Sequence, residues 1–156
     1  MAVEIERKFL VKGEGWRGKA EGVFYRQGYL STEKERVVRV RATKDKGFLT
    51  IKGAPENLKR PEYEYEIPVK DAEEMLDSLC IRPLIEKTRY RVEHGGFVWE
   101  IDVFSGENKG LVLAEVEIQD QNQEIPLPEW IGEEVSGDPR YTNAQLVKNP
   151  YIRWNP

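Results

Sequence analysis

Along seven short stretches of this chain, charged side chains recur at every second position with apolar ones between them. Residues two apart on a β-strand share a face, so each stretch predicts a strand with one ionic and one oily side. The first sets Glu4, Glu6 and Lys8 against Val3, Ile5, Phe9 and Val11. Arg39 and Arg41 alternate with Val38, Val40 and Ala42, Thr50 and Lys52 with Leu49 and Ile51, and Glu62, Glu64 and Glu66 with Tyr63, Tyr65 and Ile67. The later stretches put Lys87, Arg89 and Arg91 against Thr88, Tyr90 and Val92, then Glu100 and Asp102 against Trp99, Ile101 and Val103, and finally Glu115 and Glu117 against Ala114, Val116 and Ile118.

With Val23 to Leu30 added, the expected strands run Val3 to Val11, Val23 to Leu30, Arg36 to Ala42, Phe48 to Lys52, Glu62 to Val69, Glu86 to Glu93, Phe97 to Phe104 and Leu111 to Gln119. Turn residues at 44 to 47 and 93 to 96 mark hairpins. Strands joined so tightly predict a mainly β chain, an eight-stranded antiparallel barrel with a few flanking helices. Ala72, Met75, Leu76 and Leu79 fall at helical spacing, which predicts an amphipathic helix over Asp71 to Cys80 with Asp71 as its cap. Beyond Gln119 prolines at 126, 128 and 139 break the pattern, and short helices are expected over Leu127 to Glu134 and Tyr141 to Lys148. Tyr25, Gln27 and Tyr29 are left unassigned to a face, because Gly28 can carry a bulge.

Antiparallel sheets often turn a charged face to water, and a sandwich of that kind is the plain alternative. Three features favour charges on the inside. The ionic faces hold almost no Ser, Asn or Gln. Like charges repeat at neighbouring same-face positions, an arrangement that repels unless an opposite charge completes it. The helices, finally, need an apolar sheet face to pack on, and the residues between the charges supply one.

The 156 residues suit a single domain, 1–156, with one core. A net charge of −4 and a pI near 5.3 argue against nucleic acid as the main partner. Cys80 is the lone cysteine and His94 the lone histidine, so neither a disulfide nor a zinc site is expected. Cys80 reads as a small buried hydrophobe and His94 as a solvated turn residue. No stretch of eighteen apolar residues occurs and the N-terminus lacks a signal-like run, so a cytoplasmic chain without membrane contact is expected. A homodimer is also expected as a candidate state, since eight strands expose more apolar outer surface than a few short helices cover.

A barrel lined this way offers two kinds of site. Its carboxylates are hard oxygen donors, which suit Mg²⁺ or Mn²⁺. Its bases, Lys8, Arg39, Arg41, Lys52, Lys87, Arg89 and Arg91, suit a small polyanion gripped by side chains, since no phosphate loop is present. A linear triphosphate bridged by a metal satisfies both.

The run Glu4-Ile5-Glu6-Arg7-Lys8 resembles the E-x-E-x-K signature of the CYTH, or triphosphate tunnel metalloenzyme, superfamily. The order and spacing of Arg39 and Arg41, Lys52, Glu62 and Glu64, Lys87 to Arg91, Glu100 and Asp102, and Glu115 and Glu117 extend that resemblance over nearly the whole chain. The stretch from Asp138 to Asn143 is similar to the end of small bacterial members, where a C-terminal helix plugs one mouth. The resemblance implies Glu4, Glu6 and Glu117 as metal ligands, with Glu115 and Asp102 serving a second metal or a water. It implies that Lys8, Arg39, Arg41, Lys52, Lys87, Arg89 and Arg91 grip the phosphates, that Glu62 and Glu64 belong to the same site, and that Arg140 is a gate residue at the plug. The activity it implies is metal-dependent hydrolysis of a triphosphate, foremost inorganic tripolyphosphate. Class IV-type adenylate cyclases and thiamine or nucleoside triphosphatases share the cradle and remain alternatives, as does a polyphosphate-binding module without turnover. So many buried carboxylates speak against the last.

Overall fold

The computed structural model describes residues 3–154, and the side chain of Glu4 lies outside the described part. Nine strands among the described residues form one antiparallel sheet: β1 (Val3–Val11), β2 (Gly22–Ser31), β3 (Arg36–Ala42), β4 (Gly47–Gly53), β5 (Lys59–Ile67), β6 (Ile85–His94), β7 (Phe97–Phe104), β8 (Val112–Glu117) and β9 (Ile131–Glu134). Helix α1 (Val69–Ser78) follows β5, and α2 (Asn143–Lys148) lies near the C-terminus. The sheet order is β5-β4-β3-β2-β6-β7-β8-β1-β9, and β5 pairs again with β1 through Val3 opposite Pro61 and Ile5 opposite Lys59. That last pairing closes eight strands into a ring, as the alternation predicts.

The expected helix over Leu127 to Glu134 is not there. Residues 131–134 are instead β9, with Val11 opposite Ile131 and Phe9 opposite Glu134. The reason is an edge left open: β1 pairs with β5 only as far as Ile5, and backbone groups beyond that point need partners. The strand supplies them, while Pro126 and Pro128 keep the approach extended. Helix α1 also starts earlier than expected. Pro68 is its N-cap residue, no side chain caps it, and Asp71 sits in the first turn, where its charge meets the helix dipole. Leu79 is 66% exposed because the helix ends at Ser78 and that side chain turns away.

Outside the ring, Ala72 and Leu76 of α1 cover Val40, Ala42 and Cys80. On the opposite wall Trp16, Trp99, Trp130 and Phe9 form a second cluster, with Phe9 and Trp99 edge-on at 5.5 Å and Trp99 and Trp130 at 5.9 Å. The third cluster is inside. Tyr29, Val37, Ile85, Phe104 and Leu113 pack with Tyr141, Leu146 and Val147 from the C-terminal segment. Each of the four residues Val37, Ile85, Phe104 and Leu113 lies two positions from a member of the ionic set, namely Arg39, Lys87, Asp102 and Glu115. The ring interior is therefore ionic along one part of its axis and oily along the other, a division that the expectation of an all-ionic lining misses.

Gly28 carries no bulge; the register of β2 against β3 shifts later, between Tyr29 and Ser31. The glycine serves a close approach, since a Cβ there would lie 2.7 Å from the Cβ of Cys80. Tyr25, Gln27 and Tyr29 thus keep one parity. Both tyrosines line the interior, and Gln27 between them is fully buried. No helix among the described residues is long and apolar enough to cross a membrane.

Candidate functional site

The ionic part of the interior encloses a cavity of about 320 Å³. Its lining includes eight basic side chains and six acidic ones, and each of the eight ring strands contributes to it. The bases are Lys8 from β1, Arg39 and Arg41 from β3, Lys52 from β4, Arg60 from β5, and Lys87, Arg89 and Arg91 from β6. The acids are Glu6, Glu62, Glu64, Glu100, Glu115 and Glu117.

Antiparallel registry sets who meets whom. Arg39 faces Thr50, which faces Glu64, and Lys52 faces Glu62. Glu64 Oε1 accepts from Thr50 Oγ1 at 2.7 Å, while Arg39 Nη2 and Arg41 Nη2 each reach the same oxygen at only 3.4 Å. Lys52 Nζ lies 3.4 Å from Glu62. The two arginine contacts are long for charge-assisted bonds, so the guanidinium forks keep donors to offer an incoming anion. Burial, then the neighbouring Arg39 charge, push the Arg41 guanidinium below its ordinary value, with Glu64 opposing. A polyanion would relieve that repulsion.

The β6–β7 side is held tightly. Lys87 Nζ donates to Asp102 Oδ2 at 2.6 Å, and Arg89 grips the same carboxylate in bidentate fashion through Nε at 2.7 Å and Nη2 at 2.8 Å. Lys87 and Asp102 are each 1% exposed. Asp102 thus lies behind the cavity wall as the counter-ion of two bases. Burial alone would raise its carboxyl, but Lys87 and Arg89 hold it below the usual range. Burial pushes the Lys87 ammonium down to about 8 against the pull of Asp102. Arg89 is disfavoured by burial too, yet Asp102 first, then Glu115 and Glu100, hold it well above its ordinary value.

A third arrangement joins β1 to β8. Glu6 stands directly opposite Glu117, and Lys8 opposite Glu115. Glu115 is buried and in hydrogen-bond contact with Glu6. Burial works against its charge, but Lys8, Arg89 and Lys87 with that Glu6 contact hold the carboxyl well below the usual range. Two carboxyl groups in contact need a proton or a cation between them. An all-oxygen donor set of this kind fits a hard divalent ion and disfavours zinc. Among the described residues no three such side chains converge on one point.

Of the residues expected from sequence, Glu6, Lys8, Arg39, Arg41, Lys52, Glu62, Glu64, Lys87, Arg89, Arg91, Glu115 and Glu117 are brought to this one cavity. Arg91 stands at its mouth, 63% exposed and paired with Glu100. Arg140 is elsewhere: it is exposed, bound to Asp138, and stacked over Tyr141 and Trp154 at 5.3 and 5.2 Å. In its place the C-terminal segment presents Thr142 and Asn143, with the Tyr141 carbonyl accepting from Lys8 Nζ at 3.1 Å. Arg60 is a further lining base, legible in sequence only if β5 is started before Pro61.

The CYTH domain family profile matches residues 2–149. This chain belongs to the CYTH domain family. A curated family relative from Acetivibrio thermocellus, an inorganic triphosphatase, is 55% identical over 151 residues, 97% of each chain. A second inorganic triphosphatase, from Nitrosomonas europaea, is 41% identical over 148 residues, 92% of this chain and 96% of that one. Among solved structures, the crystal structure of an inorganic triphosphatase superposes with a TM-score of 0.67 at 38% identity, covering 92% of this CYTH chain and 97% of the other.

Proposed function

We propose that this CYTH protein is an inorganic triphosphatase that hydrolyses tripolyphosphate to orthophosphate and diphosphate in a metal-dependent reaction. The observation that carries the reading is the cavity in which loosely paired Arg39 and Arg41 of β3 stand beside tightly braced Lys87 and Arg89 of β6, with Lys8 and Lys52 on the same lining. Basic groups contributed by several strands around one cavity can hold a linear chain of phosphoryl groups at several points, which fixes it for in-line attack. Lys8, Arg39, Arg41, Lys52, Lys87 and Arg89 are proposed to neutralise the phosphoryl oxygens, with Arg60 and Arg91 nearer the openings. Glu62 and Glu64 serve as their resting counter-ions.

Glu6 and Glu117, with Glu4 and Glu115, are the residues that would hold Mg²⁺ or Mn²⁺. Such an ion would supply positive charge to neutralise the phosphates and lower the pKa of water. A carboxylate of the Glu6, Glu115 and Glu117 group orients the attacking water and takes up its proton. The water oxygen bonds to the terminal phosphorus as the bridging P–O bond breaks, and diphosphate leaves with the electron pair, so no covalent enzyme intermediate forms. Asp102 does not touch substrate in this scheme; it keeps Lys87 and Arg89 in place.

The test is a substrate panel of tripolyphosphate, ATP and thiamine triphosphate with Mg²⁺ or Mn²⁺, read as phosphate release and as cyclic AMP. Preferential phosphate release from tripolyphosphate is the expected result. Cyclic AMP from ATP would replace the reading with a cyclase, and binding without product would leave an anion-binding module.

A further inference from the structure

Tyr25 carries a role that the charged pattern does not reveal. It lies on β2, between β3 and β6, and its side chain lines the cavity. Arg41 reaches it diagonally from β3, with its guanidinium carbon 4.9 Å from the ring centroid, and Arg89 reaches it from β6 at 5.4 Å. Two like charges from opposite neighbours therefore share one aromatic ring. Separations of this size are those of cation–π contacts, which strengthen as water is excluded. Arg89 has other anchors, since Asp102 holds it with two short bonds. Arg41 is held more loosely: its guanidinium reaches Glu64 only at 3.4 Å, its Nε is buried with no hydrogen-bond partner, and Phe48 adds a second ring at 5.0 Å. Without the Tyr25 ring, repulsion from Arg39 and Arg89 would turn Arg41 toward Glu64 or the mouth.

We propose that Tyr25 is a positioning residue of the triphosphate cradle, its ring setting the separation of Arg41 and Arg89 and aiming Arg41 at the phosphates. The inference rests on the triphosphatase reading. It assigns the work to the aromatic face, so the hydroxyl is dispensable.

Tripolyphosphate affinity by calorimetry, together with kcat and KM for phosphate release, is compared for the wild type, Tyr25→Phe, Tyr25→Leu, Arg41→Ala and the Tyr25→Leu/Arg41→Ala double variant, with the unliganded Tm of each as a folding check. Tyr25→Phe is expected to stay within about twofold of wild type, while Tyr25→Leu weakens binding about 10-fold, the loss expected of a desolvated cation–π contact. In the Arg41→Ala background the same Leu substitution is expected to cost about twofold or less, because its target is gone. Three results overturn the inference: Tyr25→Leu binding like wild type, Tyr25→Phe failing as badly as Leu, or an undiminished Leu effect in the Arg41→Ala background. If Tyr25→Leu does not fold, the Phe arm still decides between ring and hydroxyl. A wild-type protein that neither binds nor cleaves tripolyphosphate is a separate outcome, which overturns the triphosphatase reading itself.

Discussion

The two parts of the ring interior are built from the same strands and the same parity, yet they do opposite work. Around Tyr29, Val37, Ile85, Phe104 and Leu113 the ring is filled with oily side chains and sealed by Leu146 and Val147 of α2. Two residues further along the same strands stand Arg39, Lys87, Asp102 and Glu115, and there the interior opens into a cavity. Packing an apolar floor is favourable by about 1.5–3 kcal/mol for each large side chain removed from water. Enclosing ions is not, unless each is paired or the enclosure stays wet. The floor therefore supplies rigidity that the ionic part needs in order to hold repelling bases close together. The Lys87–Asp102–Arg89 group sits at the boundary and belongs to both.

Removing the boundary counter-ion should hurt most. Asp102→Ala leaves Lys87 buried without its carboxylate, and breaking such a pair is expected to cost about 3–5 kcal/mol in urea unfolding; a loss near zero would mean that Lys87 finds water instead. Leu146→Ala attacks the floor alone. It is expected to lower stability by about 2–5 kcal/mol, as other buried Leu truncations do, while leaving KM for tripolyphosphate within about twofold. A large KM change there would show that floor and cavity are less separate than described. On the ionic side, Glu117→Ala is expected to reduce metal-dependent turnover at least about 100-fold, since even residues that merely orient metal ligands cost about 10–100-fold, with Tm nearly unchanged. Arg41→Ala is expected to raise KM about 10-fold, in the range of one charge-assisted hydrogen bond, with a smaller change in kcat.

The smallest effect is the most specific in sign. Lys87, pushed down to about 8 by burial, carries its charge below that pH in the folded protein and loses it above. Tripolyphosphate affinity should therefore fall as pH rises through about 8. The unfolded chain holds the same proton up to about 10.4, so between those values it binds more protons than the folded one, and this group's contribution to stability rises with pH. Affinity and stability are expected to move in opposite directions over that window. Lys87→Arg should flatten both, because a guanidinium does not titrate there.

Much of this was legible in the residues. Period-two alternation marked the eight ring strands, and charge clustering identified the inner face because repeated like charges on one side of a strand need an enclosing partner. The same alternation hid the floor. Ile85 and Val37 share a face with Lys87 and Arg39, but they sit at strand ends, where apolar residues read as ordinary flanks. Strand β9 was not legible, because it exists to cover an edge that only the closed ring leaves open. Arg60 was hidden by Pro61, which reads as a strand stop although it lies in β5. Arg140 was misplaced because Asp138, two residues away, captures its guanidinium before it can reach the tunnel.

If the ionic part of the interior holds metal and triphosphate together, both must be visible there at once. A crystal grown with Mn²⁺ and a non-hydrolysable imido analogue of tripolyphosphate, measured for anomalous scattering, tests this directly. The expected result is a manganese peak within carboxylate reach of Glu6 and Glu117, with phosphoryl density against Arg39, Arg41 and Arg89. Manganese and phosphate on the outer surface, with the cavity holding water alone, would contradict it.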